Sequence, residues 1–323
     1  MNSDGAQDTP NNPWEGLNSI LSSLPLLPAT GVSGSLDFGS LAPVIPKKFS
    51  PPSLGDIINF KGRTYYLGQL FASGNFGAVY ECTDDWGNEL AAKILLPQNR
   101  SYDAVRESWQ RELENLVNLR HPNVTYVHDA FECNDTFYLI IERCSETLEG
   151  LIQWPDLIPA LWIKPVSKCV LQALHFIHGA GYVHKDIHPR NVFTRHVRSE
   201  MGNEHSTVFK VGDLGITRLE PQIDATNTVF AQWMLAPEFL NPTEFGRVGK
   251  PVDIYHAGLL FLSLLLKYIP TFTREEILQG KPRMMAENLN SPYGRAIAKA
   301  LRRHVNDRTS SALEFWHDMK TSA

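Results

Sequence analysis

What this 323-residue chain lacks narrows its reading before any motif is considered. It has only four cysteines, Cys82, Cys133, Cys144 and Cys169, with no C-x-x-C pair and no zinc-ligand spacing. A fold built on disulfides or zinc is therefore not predicted, and a reducing, cytoplasmic setting is expected. Positive charge is not in excess: the formal net charge is −5 and Lys and Arg are scattered, so no nucleic-acid partner is expected. Long apolar runs are missing too. The most apolar stretch, AGLLFLSLLL from Ala257 to Leu266, is too short to cross a bilayer and is predicted to be a buried core helix. No Lys or Arg precedes Lys47, which argues against a cationic secretory leader, and no membrane partner is expected.

What is present is an ordinary globular composition, 43% hydrophobic and 20% charged, over a length that can bury a sizeable core. Residues 1–55 are rich in Pro, Ser, Gly and Asn and are predicted to form a flexible tail. Within it Trp14, Leu17, Ile20, Leu21 and Leu24 recur at helical spacing. They are either incidental apolar residues of a disordered stretch or a short helix that docks a protein partner. Residues 56–143 carry short runs rich in Val, Ile, Tyr and Phe: TYYLGQLF, AVYEC, ELAAKIL, VTYVHDAF and TFYLIIE. Turn chemistry such as DDWGN separates them, so this part is predicted to be mostly strand, with one helix from about Tyr102 to Leu119. Residues 144–323 are predicted to be mainly helical, beginning with PVSKCVLQALHFIHGAG, where Gly179 and Gly181 supply a stop. A small β-rich part followed by a larger helical one predicts an α+β fold of two lobes, with any site between them.

Several stretches carry chemistry. FASGNFGAVY places Gly74 and Gly77 between two strands, where backbone amides free of side-chain bulk can approach phosphates, although such a hairpin is often merely a turn. Lys93 sits inside the apolar strand AAKIL, and a buried ammonium is costly without an anion. On the helix that follows, Val105, Trp109, Leu113 and Leu116 form one stripe with Glu112 at its edge, while Glu107 and Glu114 point away. Glu112 is thus the carboxylate best placed to meet Lys93; an interfacial salt bridge is the plain alternative. HKDIHPRN sets Asp186 five residues before Asn191, and KVGDLG ends an apolar run at Asp213. Three such oxygen ligands suit magnesium on a polyphosphate, although each alone fits a turn cap equally well. His175 and His178, at helical spacing in LHFIH, are assigned to packing and not to a metal.

In this order, glycine hairpin, AAK, helix Glu, HKD....N, DLG and APE, the chain resembles a eukaryotic-type protein kinase over about residues 65–318. The resemblance implies a bilobal protein-kinase-like fold, with a small β-rich N-lobe holding one main helix and a larger, mostly helical C-lobe. It implies ATP and Mg2+ as cofactors and a protein as substrate. Lys93 would hold the α- and β-phosphates and pair with Glu112, Asp186 would be the catalytic base, and Asn191 and Asp213 would bind magnesium. Ala72, Gly74, Gly77, Val79 and Ala91 would enclose the nucleotide, with Ile141 behind the adenine and a hinge of Glu142, Arg143 and Cys144. Glu238 of the APE run would pair with Arg308, and Asp253 would anchor the central helix.

The departures from the family pattern carry their own expectations. Ala72 replaces the first hairpin glycine and adds a methyl where an unusual φ is expected, which would weaken closure on nucleotide. Leu214 stands where Phe is commonest, and RHVRSEMGNEHS predicts a surface hairpin insertion. Lys185 replaces an arginine that commonly receives an activation-segment phosphate, leaving open phosphorylation at Thr217, Thr226 or Thr228. His188 replaces the lysine of serine/threonine kinases, and the missing cation is assigned to Arg190, which completes a catalytic set of Asp186, Lys93, Glu112 and Arg190. Ala231 replaces a threonine that touches the catalytic Asp in serine/threonine kinases, and leaves the substrate hydroxyl class open. The expected function is γ-phosphate transfer from Mg-ATP to a protein hydroxyl, on Ser or Thr. The alternative, supported by Ala72, Lys185, His188 and Ala231, is a pseudokinase scaffold that binds nucleotide or partners. A small-molecule phosphotransferase would lack the APE segment.

Overall fold

The computed structural model describes residues 48–74, 77–97, 99–198, 205–223 and 235–322. The chain divides after Lys48, and the fold described is that of the unit from Phe49 onward. The predicted helix around Trp14 to Leu24 lies outside the described residues.

Each apolar run predicted to extend contains a strand, although VTYVHDAF enters its strand only at Val127. β1 (Ile57–Phe60), β2 (Arg63–Gly74), β3 (Gly77–Asp84), β4 (Glu89–Leu95), β5 (Val127–Cys133) and β6 (Thr136–Glu142) form one sheet in the order β1-β2-β3-β4-β6-β5. Every pairing in it is antiparallel. β1, IINF, is an addition to the five predicted runs, since four residues show too little alternation to announce a strand. Cross-strand partners share a face, and the register sorts the side chains into two sets. Tyr80, Ala92 and Ile140 align on one face, as do Ala78, Ile94 and Tyr138, and that face closes over Ile58, Tyr65, Leu67 and Phe131 as a separate apolar core. The opposite face carries Val79, Lys93 and Leu139 in one row and Glu81, Ala91 and Ile141 in the next. Gly77 is required by packing: a Cβ there would stand 2.1 Å from the Ile94 carbonyl oxygen, and its φ is 158°.

Helix α1 (Tyr102–Asn118) starts where Ser101 caps it, accepting from the Ala104 N–H, and it buries Val105, Trp109, Glu112, Leu113, Asn115 and Leu116. Glu107 and Glu114 are exposed. The Trp109 indole N–H donates to the Tyr138 carbonyl at 2.9 Å and fastens the helix to β6.

The second lobe is mainly helical: α2 (Leu148–Ile152), α3 (Pro159–Gly179), α4 (Pro237–Leu240), α5 (Pro242–Phe245), α6 (Lys250–Leu266), α7 (Arg274–Leu278), α8 (Lys281–Glu287), α9 (Gly294–Ala300) and α10 (Ala312–Thr321). α6 is buried from Val252 to Leu264, as its all-round apolar sequence requires. Among the described residues no helix is long and apolar enough to cross a membrane. Two small sheets complete the lobe, β10-β9-β7 and β11-β8, built from β7 (Glu146–Thr147), β8 (Tyr182–Val183), β9 (Val192–Arg198), β10 (His205–Val211) and β11 (Arg218–Leu219). β9 and β10 pair from Val192 opposite Val211 out to Arg198 opposite His205, so the polar insertion lengthens a hairpin. The architecture is α+β, with a β-rich N-lobe and a helical C-lobe.

Candidate active site

Lys93 projects from the β4 face that looks toward α1 and is buried. Its Nζ donates to Glu112 Oε1 at 2.6 Å and to Asp213 Oδ1 at 2.8 Å. Burial alone would lower its pKa, but Asp213 and Glu112 outweigh burial and hold it above the ordinary lysine value. For Asp213 burial acts upward, yet the Lys93 ammonium wins and keeps it below the usual carboxylate range. Glu112 goes the other way, raised first by burial and then by Asp213. One ammonium between two carboxylates leaves the cluster negative, and 37% of the Asp213 side-chain surface remains open. Asp213 adopts φ 58°, a conformation Asp tolerates better than most residues. Its neighbourhood is tied to α1 by Asn115, whose Nδ2 donates to the carbonyls of Leu214 (2.8 Å) and Thr217 (3.1 Å). Sequence reasoning missed Asn115, although an amide beside the apolar stripe, three residues after Glu112, was a usable signal.

The loop His184–Asn191 is hung on Asp253, at the first turn of α6. One Asp253 oxygen accepts the Lys185 N–H at 2.8 Å, and the other accepts the His184 N–H at 2.8 Å and meets His178 Nε2 at 2.8 Å. Burial raises the Asp253 pKa, but the bond from His178 and its neighbours bring the net result below the ordinary range. These bonds hold Lys185 at φ 70°, which is strained for a side-chain-bearing residue. His184 Nδ1 accepts the Asp186 N–H at 3.2 Å and its Nε2 lies 3.2 Å from the Gly212 carbonyl, which assigns the proton to Nε2. Burial lowers the His184 pKa and keeps the ring neutral.

Asn191 Nδ2 donates to the Asp186 carbonyl at 3.1 Å and to Asp186 Oδ2 at 2.9 Å. Asp186 Oδ1 is buried and accepts no hydrogen bond within the described protein. His188 Nε2 lies 3.3 Å away, close enough to interact with that oxygen but not aligned to donate. A buried acceptor left in this state costs about 1–3 kcal/mol, so this oxygen is poised for a donor from outside. The expectation that Arg190 brings its cation to this loop is corrected. Pro189–Asn191 form one 3-10 turn, whose three residues per turn send successive side chains to different sides. Asn191 turns inward, while Arg190 turns out, 71% exposed, and donates from Nε to Glu149 Oε2 of α2 at 2.7 Å.

Ala72, Gly74, Gly77, Val79, Ala91 and Ile141 share the sheet face that carries Lys93. Ala72 opposes Val79, Val79 opposes Lys93, Ala91 opposes Ile141, and Gly74 opposes Gly77 at the hairpin end. Ala72 has no positive φ, so the expected strain from replacing glycine does not arise. Glu142, opposite Leu90, points to the other face. That carboxylate accepts from Lys210 at 2.8 Å, from Arg195, and from the Tyr126 N–H at 3.2 Å, pinning the hinge to β9 and β10. Lys210 and Arg195 gave no sequence signal, because nothing in a local pattern says which distant acid a cation will meet.

A family model for the protein kinase domain matches residues 65–321. The chain belongs to the protein kinase family. This kinase domain is 27% identical over 208 residues to cyclin-dependent kinase D-1 of Arabidopsis thaliana, a match covering 63% of this chain and 49% of that protein. To human cyclin-dependent kinase-like 4 it is 29% identical over 195 residues, covering 59% of this chain and 48% of the relative. The chain thus spans about half the length of the curated relatives it matches. Among solved structures, the Mycobacterium tuberculosis PknI kinase domain superposes with a TM-score of 0.60 at 20% identity, covering 84% of this chain and 100% of that one.

Within the kinase domain, two family positions stand out. Glu238 of the APE run is buried and meets Arg308 through two parallel bonds of 2.7 and 2.8 Å. Lys185 is pushed down to about 7, first by burial and then by the charges of Arg218 and Arg111, with Asp253 and Asp186 opposing. Thr217 is buried, so its hydroxyl is not presented for phosphorylation in this conformation. Thr226, Thr228 and Ala231 lie outside the described residues.

Proposed function

We propose that this kinase domain transfers the γ-phosphoryl group of Mg-ATP to a serine or threonine hydroxyl of a protein. The observation that carries the reading is the buried, donor-free Oδ1 of Asp186, in a loop clamped by Asp253 and Asn191. That oxygen accepts the proton of the incoming hydroxyl and orients it for in-line attack. Lys93, kept charged by Glu112 and Asp213, donates to the α- and β-phosphates. Asp213, with part of its surface open, and Asn191, whose amide N–H group is engaged with Asp186 while its carbonyl is not, fit a hard divalent cation. Magnesium held there supplies neutralisation of phosphate charge. His188 Nε2 stands beside the base and steadies the substrate hydroxyl. Ala72, Gly74, Gly77, Val79, Ala91 and Ile141 enclose the nucleotide, and Glu142 and Arg143 contribute hinge backbone. The Glu142 N–H is bonded to the Tyr126 carbonyl at 3.1 Å, which fixes the backbone where the hinge begins.

The assignment of hydroxyl class leans on relatives named as cyclin-dependent kinases and their like. Residues 56–143 and 144–323 are assigned as the lobes, in a reducing, cytoplasmic compartment, and the tail is shortened to residues 1–48, since Phe49 packs against Tyr102 and Phe137. The test is incubation with Mg-ATP and a general protein substrate, with phosphosites mapped by mass spectrometry beside Asp186→Ala and Lys93→Met. Phosphate absent above those controls overturns the proposal, and retained Mg-ATP binding would then favour a nucleotide-binding scaffold.

A further inference from the structure

Arg143 leaves the hinge and crosses to the base of the glycine hairpin. Its Nη2 donates to Glu81 Oε1 at 2.9 Å, and its guanidinium lies 5.3 Å from the centre of the Phe71 ring. Glu81 belongs to the cleft-face row with Ala91 and Ile141, and Phe71 directly precedes Ala72. Two features of β2 are shaped around this contact. Gly68 leaves the room that Glu81 fills, since a Cβ there would lie 2.8 Å from both Cβ and Oε2 of Glu81. The β2 register against β3 also shifts on either side of Leu70, an irregularity that re-aims the residues beside it. The Gln69 N–H makes a long 3.4 Å contact with Glu81 Oε2.

Next to Arg143, Glu142 is pinned to the C-lobe hairpin by Lys210 and Arg195. Arg143 therefore works from a fixed point, and what it grips is the strand that leads into the hairpin. Half the Phe71 surface, 49%, is exposed, so the ring is held at the cleft edge and not in a core. We propose that Arg143, Glu81 and Phe71 form a latch across the mouth of the nucleotide cleft that slows nucleotide release. It rests on the reading of this cleft as a nucleotide site. Arg143 and Glu81 act as positioning residues: they touch the hairpin and each other, and they alter residence time by resisting the lift of Phe71.

The test uses Mg2+ with N-methylanthraniloyl-ADP in stopped flow on the full chain. Arg143→Ala and Glu81→Gln should each release the probe about five-fold faster, the effect expected of a partly exposed ion pair joined to a cation–π contact. The charge swap, Glu81→Arg with Arg143→Glu, restores the ion pair but not the cation–π contact and should recover part of the wild-type residence time, releasing the probe more slowly than either single variant, which a merely structural defect would not do. Gly68→Ala, which displaces Glu81, should speed release as the single variants do. Raising salt should speed release in wild type and have less effect in Arg143→Ala. Unchanged or slower release in either single variant, or a swap no slower than the singles, overturns the latch. A wild-type chain that binds no probe at all overturns the nucleotide-site reading, and the latch with it.

Discussion

Two buried cations in this kinase domain face carboxylates and end in opposite states. Arg308 is saturated: two parallel bonds reach Glu238, its other donors reach the carbonyls of Pro251, Arg302 and Arg303, and its plane lies 5.0 Å from the Tyr255 ring centre. One plus meets one minus, with neither side chain exposed. Lys93 instead lies between two carboxylates, one of them partly open, and His184 feels the charge of both Asp213 and Asp186, whose Oδ1 has no donor. The first arrangement is closed to anything else. The second is left negative and unfinished, which suits the proposed binding of a cation-bearing ligand.

The sharpest way to break this contrast is Asp186→Asn. Transfer should fall about a thousand-fold, measured by initial rates, while thermal stability holds or rises because a buried oxygen without a donor has lost its charge. A large stability loss would mean that Asp186 is structural, like Glu238. Next in size is Arg308→Met, which strands a buried carboxylate and should cost about 3–5 kcal/mol in denaturant unfolding. Adding Glu238→Met should recover much of that loss, and failure to recover would show the pair to be more than a mutual neutraliser. A smaller effect separates the two candidates in the 3-10 turn. His188→Ala should lower kcat about ten-fold, whereas Arg190→Ala, which removes an exposed pair with Glu149, should change it less than about two-fold. The reverse order would return the cation to Arg190.

The smallest effect is a pH dependence. Lys185 faces Arg111, Arg218, Asp253 and Asp186, and its folded pKa of about 7 lies below the ordinary lysine value of 10.5. Between those values the unfolded chain binds the proton that the native state has released, so stability should rise with pH across that window. The cost of the buried charge is fully present below about 7. Wild type should therefore gain on Lys185→Met as pH climbs from about 7 to 10, read by thermal melts across pH. A flat difference would mean that the neighbouring carboxylates hold the charge in place.

Much of the fold was legible locally because strand and helix periods are local. Five runs rich in Val, Ile, Tyr and Phe, the α1 stripe and the apolar body of α6 reappear in space close to where the sequence puts them. Legibility failed where a side chain answers to a residue far along the chain. Arg190 goes to Glu149, Glu142 to Lys210 and Arg195, Asn115 to the backbone after Asp213, and Arg143 to Glu81. Ala72 shows the same limit in backbone form: the substitution suggested strain, but strand pairing places it in ordinary extended geometry.

The sequence by itself determined the main strands and helices and the burial of Lys93 beside Glu112, since periodicity and the cost of burying an unpaired ion act on neighbours in the chain. Only the tertiary structure decided how those charges were divided. It closed Arg308 completely, left one oxygen of Asp186 without a donor, sent Arg190 outward, and set Arg143 against the glycine hairpin. Pairing of buried charge is a property of distances across the fold, and those distances exist only once both lobes have packed.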